Sequence, residues 1–396
     1  MNTWHNSVLE ITKTHFDYII IGAGAAGLML SDAMGNDDFF NNKSILLLDK
    51  DAKKTNDRTW CYWEKGTGRF DAIVHKSWKS IFFGGQEFSK QLDIAPYIYK
   101  LIRGIDFYRS FLEKINSYAN IEFIKTEVLY IEEKDNHVIV NTEETSYTCN
   151  QVFNSVFNIE KIRKNKKFPV LQQHFIGWTI KSKEPLFEPS RATFMDFSIE
   201  QKNNTRFMYV LPYSNKMALI EYTLFSENLL PKQEYEDAIR EYLSKKLGCR
   251  DFEILDREKG SIPMTCYKFY EQNTKRIQYI GTAGGWSKPS TGYTFHNTSK
   301  NTNKIIQHII GGKSITKLSS KKKFWLYDLL LLDILYKHNN KGQYIFETLF
   351  KNRPPQLIFK FLDEETSFWE DLKIISGCPK KEFLRAFMER ILQRFH

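Results

Sequence analysis

Residues 22–27 read Gly-Ala-Gly-Ala-Ala-Gly, and glycines at this spacing can form a loop that binds a phosphate group. In the GxGxxG pattern, Gly22 makes the tight turn, Gly24 lets the backbone approach a pyrophosphate, and Gly27 lets the following helix pack closely on a strand. Asp49 follows after roughly 20 residues, where an acidic side chain binds a ribose hydroxyl. These residues predict a dinucleotide site, and a glycine-rich turn without a ligand is the alternative.

Glu221 is the other residue that could do chemistry, because it is the one acid within the apolar run ALIEYTLF at residues 218–225. A carboxyl group in apolar surroundings stays protonated near neutral pH, since burial disfavours its charged form. Glu221 could then donate a proton in a dry site. Because side chains alternate between the two faces of a strand, an outward-facing surface glutamate is the other interpretation.

The elements that must position these residues follow from the apolar patterning. The segment FDYIIIGAGAAGLMLSDAM at residues 16–34 predicts a buried strand, a glycine turn and a helix, and SILLLDK at residues 44–50 predicts a second buried strand. Together they form a βαβ unit. The acid at Asp49 favours a free 2′-hydroxyl, hence FAD or NAD over NADP, and the position near the N-terminus favours FAD.

A second glycine-rich segment, IQYIGTAGGWSKPSTGYTF at residues 277–295, repeats the pattern of strand, loop and helix start. Its loop would place a helix N-terminus against the flavin ring, where the positive end of the helix dipole stabilises an anionic reduced flavin. The predicted cofactor contacts in this segment are Gly281, Gly284, Gly285, Pro289 and Gly292.

The rest of the chain divides into strand-rich and helical regions. Alternating β-branched and aromatic residues in the middle of the chain, as in QHFIGWTIKS and RFMYVLPYS, predict a mostly antiparallel sheet. From Asn297 onward the pattern is helical. We therefore predict an α/β (α+β) protein with a discontinuous nucleotide domain at 15–160 and 270–312, a substrate domain at 161–269, and a helical region at 313–396.

The composition of the 396-residue chain limits the classes of function. Its formal net charge of +10 suits an anionic surface. Without a zinc-finger spacing or a single-strand platform motif, nucleic acid is not expected as a partner. The five cysteines form no CxxC pair, so neither a disulfide framework nor a metal site is predicted. No signal peptide and no apolar run of about 18 residues are found, and a cytoplasmic location is expected.

Six ordered motifs resemble the lycopene cyclase family of carotenoid biosynthesis. The most specific, NDRTWCYWE at residues 56–64, is similar to that family's D-R-T-W-C-x-W-E signature. The resemblance runs from about Asp17 to residue 379, and it is closest to bacterial β-cyclases that act on both ends of lycopene. The other motifs are PYIYKLIRGIDFY (96–108), ATFMDF (192–197), FMYVLPYS (207–214), ALIEYTLFS (218–226) and GTAGGWSKPSTGYTF (281–295).

This resemblance implies a Rossmann-type FAD-binding domain of the glutathione-reductase and p-hydroxybenzoate-hydroxylase type, with an antiparallel-sheet substrate domain and C-terminal helices. It also implies a non-redox isomerisation, in which the linear ends of lycopene close into β-ionone rings to give γ-carotene and then β-carotene. The family requires FAD in its reduced form, with NADPH or NADH as the reductant, and no net electrons pass to the substrate.

The resemblance also implies roles for individual residues. Glu221 occupies the position of the family's essential acid, whereas Tyr222 stands where plant relatives have a second acid, so Glu221 is the sole donor candidate in the motif. Arg58 is implied as a flavin or phosphate partner, or else forms a structural salt bridge, and Trp60 is implied near the ring pocket. Aromatic faces can stabilise a carbocation or simply fill the core; the candidates are Tyr222, Phe225, Trp286 and Tyr293.

The group that removes the last proton from the ring is left open by the motifs. Asp196 in ATFMDF is one candidate for this base, and reduced flavin is another. A purely structural hydrogen-bonding role for Asp196 is the alternative.

Lycopene dissolves in lipid, so the resemblance implies a peripheral position on the cytoplasmic side of the cell membrane. The predicted contact is KKKFWLYDLLLLDILYKHN at residues 321–339, where three lysines that would meet anionic head groups precede a short apolar run. Asp328 and Asp333 interrupt this run, and a buried core helix is the alternative interpretation.

The stretch FLDEETSFWED at residues 361–371 echoes the acidic F-L-E-E-T motif of plant cyclases, but its place in the chain argues against equating the two. Ser367 and Glu370 form a capping-box pattern, which predicts that a helix begins there. The acids at 363–365 are therefore predicted to lie in the joint between two helices.

Three other functions are compatible with parts of the sequence. A flavin monooxygenase or halogenase would share the fingerprint, although hydroxylases carry Gly-Asp where this chain has Gly281-Thr282. A prenyl-chain reductase would consume reductant stoichiometrically. A non-catalytic carotenoid carrier would tolerate the loss of Glu221.

Overall fold

The computed structural model describes residues 14–318 and 322–392 of the chain. Its strands form three β-sheets. In chain order the strands are β1 (His15–Ile21), β2 (Ile45–Asp49), β3 (Thr59–Lys65), β4 (Lys76–Trp78), β5 (Ser80–Gly84), β6 (Lys90–Asp93), β7 (Tyr97–Arg103), β8 (Ile121–Lys125), β9 (Val128–Glu133), β10 (Val138–Thr142), β11 (Ser146–Asn154), β12 (Leu171–Ser182), β13 (Arg191–Asp196), β14 (Arg206–Pro212), β15 (Met217–Ser226), β16 (Phe252–Met264) and β17 (Ile277–Tyr279).

The described residues also form α-helices, most of them in the last third of the chain. They are α1 (Ala25–Gly35), α2 (Gly104–Ser117), α3 (Ile159–Arg163), α4 (Lys232–Glu241), α5 (Phe295–Ile310), α6 (Lys322–Lys337), α7 (Gly342–Asn352), α8 (Pro355–Leu362), α9 (Phe368–Gly377) and α10 (Lys380–Leu392).

The first sheet contains the nucleotide-binding motif. Its order is β8-β2-β1-β11-β10-β9, with β17 paired to β11. Strands β1 and β2 pair in parallel around α1, so the predicted βαβ unit is confirmed. The apolar runs at residues 19–21 and 45–48 are buried, because parallel strands are covered on both faces.

The second sheet is built from the middle of the chain, in the order β16-β12-β15-β14-β13-β5-β6. Its pairs are antiparallel except for β13 with β5, which confirms the predicted antiparallel sheet. Strands β5 and β6 come from residues 80–93, within the range assigned to the nucleotide domain. The predicted division of the chain into domains stays a prediction.

The remaining strands form a small third sheet in the order β3-β7-β4. Its β3 carries the segment NDRTWCYWE from Thr59 onward. With three sheets and a helical C-terminal region, the predicted mixed α/β class is confirmed.

Helix α6 is packed into the protein by two ion pairs. Asp328 is 2.8 Å from the buried Lys288 and Asp333 is 2.5 Å from Arg390. Both acids are buried, as are the apolar side chains beside them. Of the predicted basic run, Lys321 lies outside the described residues. None of the described helices is long and apolar enough to cross a bilayer.

The acids of FLDEETSFWED lie in a turn between two helices, as predicted. Helix α8 ends at Leu362 and α9 begins at Phe368. The predicted capping box is confirmed, because the Ser367 hydroxyl accepts from the Glu370 N–H while the Glu370 carboxylate accepts from the Ser367 N–H. Glu364 has a φ of +61°, which marks the sharp turn of the chain at this joint.

Candidate functional site

One cavity of about 500 Å³ brings together the dinucleotide fingerprint and the strand that carries Glu221. Gly24 lines it from the turn after β1, Gly281 and Gly292 from the second glycine segment, and Glu221 from β15. The dinucleotide fingerprint and the acid are therefore parts of one site, although they are far apart in the sequence.

The fingerprint has the geometry that its spacing predicts. Gly22 has a φ of +95°, a conformation that favours glycine. A Cβ atom on Gly27 would lie 1.9 Å from the Gly22 carbonyl oxygen, so the close approach of α1 to the turn requires glycine. Helix α1 begins at Ala25 and offers its first backbone N–H groups at the turn, where an anion binds.

Asp49 ends β2 beneath this turn. Its carboxylate accepts a hydrogen bond from the Ala23 N–H at 2.6 Å and lies 3.2 Å from the Lys53 ammonium. It is not among the described residues that line the cavity. In this structure Asp49 fixes the conformation of the glycine turn, and its contact with a ribose stays a prediction.

The second glycine segment follows β17 and leads into α5, which begins at Phe295. The predicted order of strand, glycine loop and helix is thus confirmed. Its loop depends on left-handed backbone conformations that favour glycine. These occur at Gly281 (φ +60°), Gly285 (φ +73°) and Gly292 (φ +71°).

Close packing fixes the same loop on both sides. A Cβ atom on Gly284 would lie 2.4 Å from the Tyr279 carbonyl oxygen, and one on Gly292 would lie 2.6 Å from Gln173 Oε1 on β12. Pro289 is half-buried between them. The loop is therefore held against the first sheet and the second sheet at once.

Glu221 faces the cavity from β15 and is buried, with 8% of its surface exposed. The Thr223 hydroxyl, two residues along the same strand face, donates a hydrogen bond to Glu221 Oε1 at 2.5 Å. Tyr222 points to the opposite face, where the Arg206 guanidinium donates to its hydroxyl at 2.8 Å. The interpretation of Glu221 as an outward-facing surface residue is therefore wrong.

A second carboxyl group, Glu258 on β16, stands beside Glu221 in the cavity. Both residues pair in register with Gly177, one from each side of β12. A Cβ atom on Gly177 would lie 3.1 Å from Glu258 Cγ, so the missing side chain leaves the space in which the two carboxyl groups meet. The Thr59 hydroxyl donates a hydrogen bond of 2.7 Å to Oε2 of the Glu258 carboxylate.

The electrostatics of this pair favour a bound proton. Burial raises the pKa of the Glu221 carboxyl well above its usual range, and the neighbouring charge of Glu258 raises it further. Burial also raises the pKa of Glu258 to about 7, against the lowering effect of the hydrogen bonds that Glu258 accepts from Thr59 and Glu221. The pair therefore favours holding a proton, and Glu221 is the member with the more strongly raised pKa.

Three further predicted residues also reach the cavity. Arg58 and Trp60 line it from the start of β3, and Tyr293 from the second glycine segment. The Arg58 guanidinium is half-exposed and pairs with the Asp57 carboxylate at 2.7 Å. The indole of Trp60 packs against Phe295, with ring centroids 5.5 Å apart.

The other predicted catalytic and substrate-pocket residues lie elsewhere. Phe225 and Trp286 are packed into the core, and Tyr222 faces away from the cavity. The Asp196 carboxylate accepts hydrogen bonds from the Tyr242 hydroxyl at 2.7 Å and the Ser198 N–H at 2.9 Å. None of these four is among the described residues that line the cavity.

Sequence reasoning missed the residues that complete the acid site. Glu258 lies in the charged segment ILDREKG of β16, which contains no recognisable motif. Only the strand register identifies Glu258, because β12 pairs with both β15 and β16 and its Gly177 lies opposite both acids. Two tyrosines, Tyr99 and Tyr209, also line the cavity close to Tyr293 and were not predicted.

Comparison with solved structures shows the fold. A geranylgeranyl bacteriochlorophyll reductase-like protein from Thermoplasma acidophilum aligns with a TM-score of 0.60 at 9% identity, covering 94% of this chain and 98% of that protein. A flavoprotein/dehydrogenase from Cytophaga hutchinsonii aligns with a TM-score of 0.60 at 12% identity, covering 95% and 100%. A flavin-dependent brominase aligns with a TM-score of 0.57 at 14% identity, covering 96% and 100%. The fold is that of flavoprotein oxidoreductases and halogenases.

Two curated relatives are similar in sequence, and both are named lycopene beta-cyclase. The protein of Paracoccus sp. (strain N81106 / MBIC 01143) is 23% identical over 220 residues, which are 52% of this chain and 56% of the relative. The protein of Pantoea ananas is 30% identical over 137 residues, 33% of this chain and 34% of the relative. The matched part of the chain thus spans about half, or less, of each relative's length.

The family profile described as lycopene cyclase protein matches residues 17–388, nearly the whole chain. This match includes the glycine turn, the β3 segment and the acid of β15. The chain belongs to the lycopene cyclase family.

Proposed function

We propose that this protein is a lycopene β-cyclase, which closes the linear ends of lycopene into β-ionone rings, giving γ-carotene and then β-carotene. One observation carries the proposal: Glu221, kept protonated by burial and by Glu258, lines the same cavity as the dinucleotide fingerprint. Protonation of an isolated carbon–carbon double bond needs a positioned acid in a dry site, and this pair supplies one.

The residues of the cavity fit FAD as the cofactor. Gly24 and the start of α1 would hold its pyrophosphate, Asp49 its ribose, and the second glycine segment with Arg58 its ring system. The buried hydroxyl of Thr298, on the first turn of α5, lines the cavity without a hydrogen-bond partner among the described residues, as expected for a group that binds a ligand. Reduced FAD, formed with NADPH or NADH, would supply negative charge that stabilises a carbocation.

The reaction begins with the proton of Glu221. The Glu221 carboxyl gives this proton to a terminal double bond of the substrate, and positive charge forms on carbon. A second double bond of the same chain supplies the electron pair that closes the ring. A proton then leaves a ring carbon and forms the ring double bond. One proton enters and one leaves, so the substrate is neither oxidised nor reduced.

The carboxyl pair is the proposed acceptor of the returning proton. Once Glu221 has lost its proton, two carboxylates face each other in a buried site, and both burial and like charge favour reprotonation. The pair therefore acts as acid in the first step and as base in the last. This assignment replaces Asp196, which lies outside the cavity among the described residues.

Tyrosine rings around the pair suit the carbocation stage. Tyr99, Tyr209 and Tyr293 line the cavity, and burial raises their pKa values, so they stay neutral. Their electron-rich faces stabilise positive charge without accepting a proton. A peripheral position on the cytoplasmic side of the cell membrane completes the proposal, because the substrate dissolves in lipid.

Pigment analysis in cells that accumulate lycopene tests the function. We expect β-carotene from the wild-type chain and unchanged lycopene from Glu221→Gln. A matched control is Glu253→Gln, an exposed glutamate on β16, which should leave the product unchanged. Lycopene that persists in the presence of folded, flavin-loaded wild-type protein would refute the cyclase assignment.

Other products would identify other functions. A saturated product formed with stoichiometric consumption of reductant would indicate a prenyl-chain reductase, and an oxygenated or halogenated one would indicate a monooxygenase or halogenase. A polyene that is bound but unchanged would indicate a carotenoid carrier. Accumulation of the one-ring product alone would restrict the activity to a single end of lycopene.

A further inference from the structure

The C-terminal helices enclose an apolar groove of about 860 Å³. Helices α6, α7, α8, α9 and α10 form its walls, and most of its lining residues are apolar. The apolar lining includes Leu330, Leu331, Leu349, Phe361, Leu372 and Phe387. A space of this size and character suits an apolar ligand.

The inner end of this groove reaches the wall of the acid cavity. Ser290 and Thr291 line the groove, and Thr291 also lines the cavity that contains Glu221. Tyr293, two residues further on, lies in the acid cavity. The apolar groove and the cavity of the proton donor thus adjoin at Thr291.

The outer end of the groove opens between exposed apolar side chains of α9 and α10. Trp369 is 73% exposed and Leu384 is 63% exposed, and both line the groove. On α10, the exposed residues Leu384, Phe387 and Met388 recur at the spacing of one helix face. A contiguous apolar surface of this kind marks a binding face. We refer to the exposed apolar residues of α9 and α10 as the rim.

The charges around the rim suit a lipid surface. Lys373, Lys380 and Lys381 are exposed beside the apolar side chains of α9 and α10. Lysines that flank an apolar, Trp-containing helical surface bind anionic head groups while the apolar side chains enter the interface. This contrasts with α6, whose two acids are held in ion pairs with Lys288 and Arg390.

We propose that the groove holds the hydrocarbon chain of a polyene whose end lies at Glu221, and that the rim rests on the anionic lipid surface from which this chain enters. The identity of the polyene rests on the proposed function, whereas the lipid-binding rim does not. The membrane contact then lies on α9 and α10 rather than on residues 321–339, and α6 is a wall of the groove.

A long polyene needs such a groove. The acid cavity of about 500 Å³ is lined by Gly24 of the fingerprint as well as by Glu221, so the cofactor and the reacting end of the substrate would share it and the rest of a long chain would lie outside. A continuous apolar path to the bilayer would hold the rest of the chain and would let the molecule turn so that its second end can enter.

Vesicle co-sedimentation of the full chain tests the rim. We expect the wild type to bind vesicles of phosphatidylcholine with phosphatidylglycerol, and Trp369→Ser/Leu384→Ser to bind them about tenfold more weakly or worse. The matched control is Leu129→Ser/Tyr130→Ser on β9, where the two side chains are 58% and 60% exposed. It should bind as the wild type does. Failure of the wild type to bind, or equal loss in the control, would overturn the proposal.

A fluorescent polyene, diphenylhexatriene, tests the groove without a turnover assay. Its fluorescence should rise on binding to the wild type and to Glu221→Gln with similar apparent affinity. For Leu372→Glu, the apparent affinity of the probe should be at least about tenfold lower. Leu372 is 41% exposed, so the variant should fold, and flavin content checks this. Equal binding to all three proteins would overturn the groove assignment. Because neither assay measures ring formation, a failed cyclase test leaves both results interpretable.

Discussion

Glu221 and Glu258 flank the same residue, Gly177 of β12, from the strands on either side of β12 in the second sheet. The buried carboxyl pair is therefore assembled from two different strands. Adjacent residues of one strand point to opposite faces, and Tyr222 does point away from the cavity. A partner for Glu221 can thus come only from the same face of the sheet, where β16 supplies Glu258.

The buried pair makes folding stability depend on pH. A folded-state pKa raised above the unfolded value of about 4.3 means that stability is fully present below this value and falls as pH rises through the folded pKa of Glu221. Glutamine does not ionise, so Glu221→Gln removes this pH-dependent loss. The loss amounts to about 1.4 kcal/mol in the free energy of unfolding for each unit by which folding raises the pKa. We expect the variant to gain stability relative to the wild type between pH 5 and pH 8, as measured by denaturant unfolding. An exposed control, Glu144→Gln, should show no such gain.

Replacing the acceptor should change the pH profile of turnover. Glu258→Gln removes the neighbouring charge that raises the pKa of Glu221, so the alkaline limb of kcat/KM should move to lower pH. The rate should also fall by about 10²-fold or more, because the proton loses its acceptor. Steady-state rates between pH 6 and pH 9 measure both effects. An unchanged profile would show that Glu258 plays no part in the proton transfer.

Filling the gap between the two acids should separate them. In Gly177→Ala, the added methyl group would lie 3.0 Å from Leu219 Cδ1 and 3.1 Å from Glu258 Cγ. We expect a loss of stability of about 1–3 kcal/mol from overpacking and the same shift in pH profile as in Glu258→Gln. Flavin absorbance should be unaffected, because the cofactor segments are not touched. A variant with the wild-type profile would mean that the pair tolerates the displacement.

Lys288 anchors the second glycine segment to the C-terminal helices. Its ammonium lies 2.8 Å from Asp328 and 3.1 Å from Glu364. Burial alone would lower its pKa, but these two acids raise it. Lys288→Met would leave a buried charge on Asp328 without its cation, at a cost of about 3–5 kcal/mol.

Chemical unfolding of paired variants measures this cost. Lys288→Met/Asp328→Asn should recover much of the lost stability, because no charge is then stranded. Lys183→Met breaks an ion pair whose side chains are 72% and 70% exposed, and should cost at most about 1 kcal/mol. Equal losses in the buried and exposed variants would contradict the anchoring role of Lys288.

Local signals in the sequence predicted the parts of the site that depend on local structure. The turn at Gly22 and the tight packing at Gly27 follow from spacing alone, as does the capping box at Ser367. Glu258 could not be found in this way, because its role depends on strand register across Gly177. Similarly, the helical pattern from Asn297 onward was predicted, but the exposure of the rim depends on how the C-terminal helices pack. Asp196 was placed in a plausible motif, yet the sheet turns its carboxylate towards Tyr242.

The joint between α8 and α9 joins three separate elements through three successive acids. Asp363 accepts a hydrogen bond from the Trp63 indole at 2.9 Å, Glu364 pairs with Lys288, and Glu365 pairs with Lys300 at 2.9 Å. These contacts do not require the peptide chain to be continuous between α5 and α6. A chain expressed as two fragments, divided between these helices, should therefore reassemble and co-purify, and this would allow the fragment with the two glycine segments and the fragment with α6 to α10 to be labelled independently.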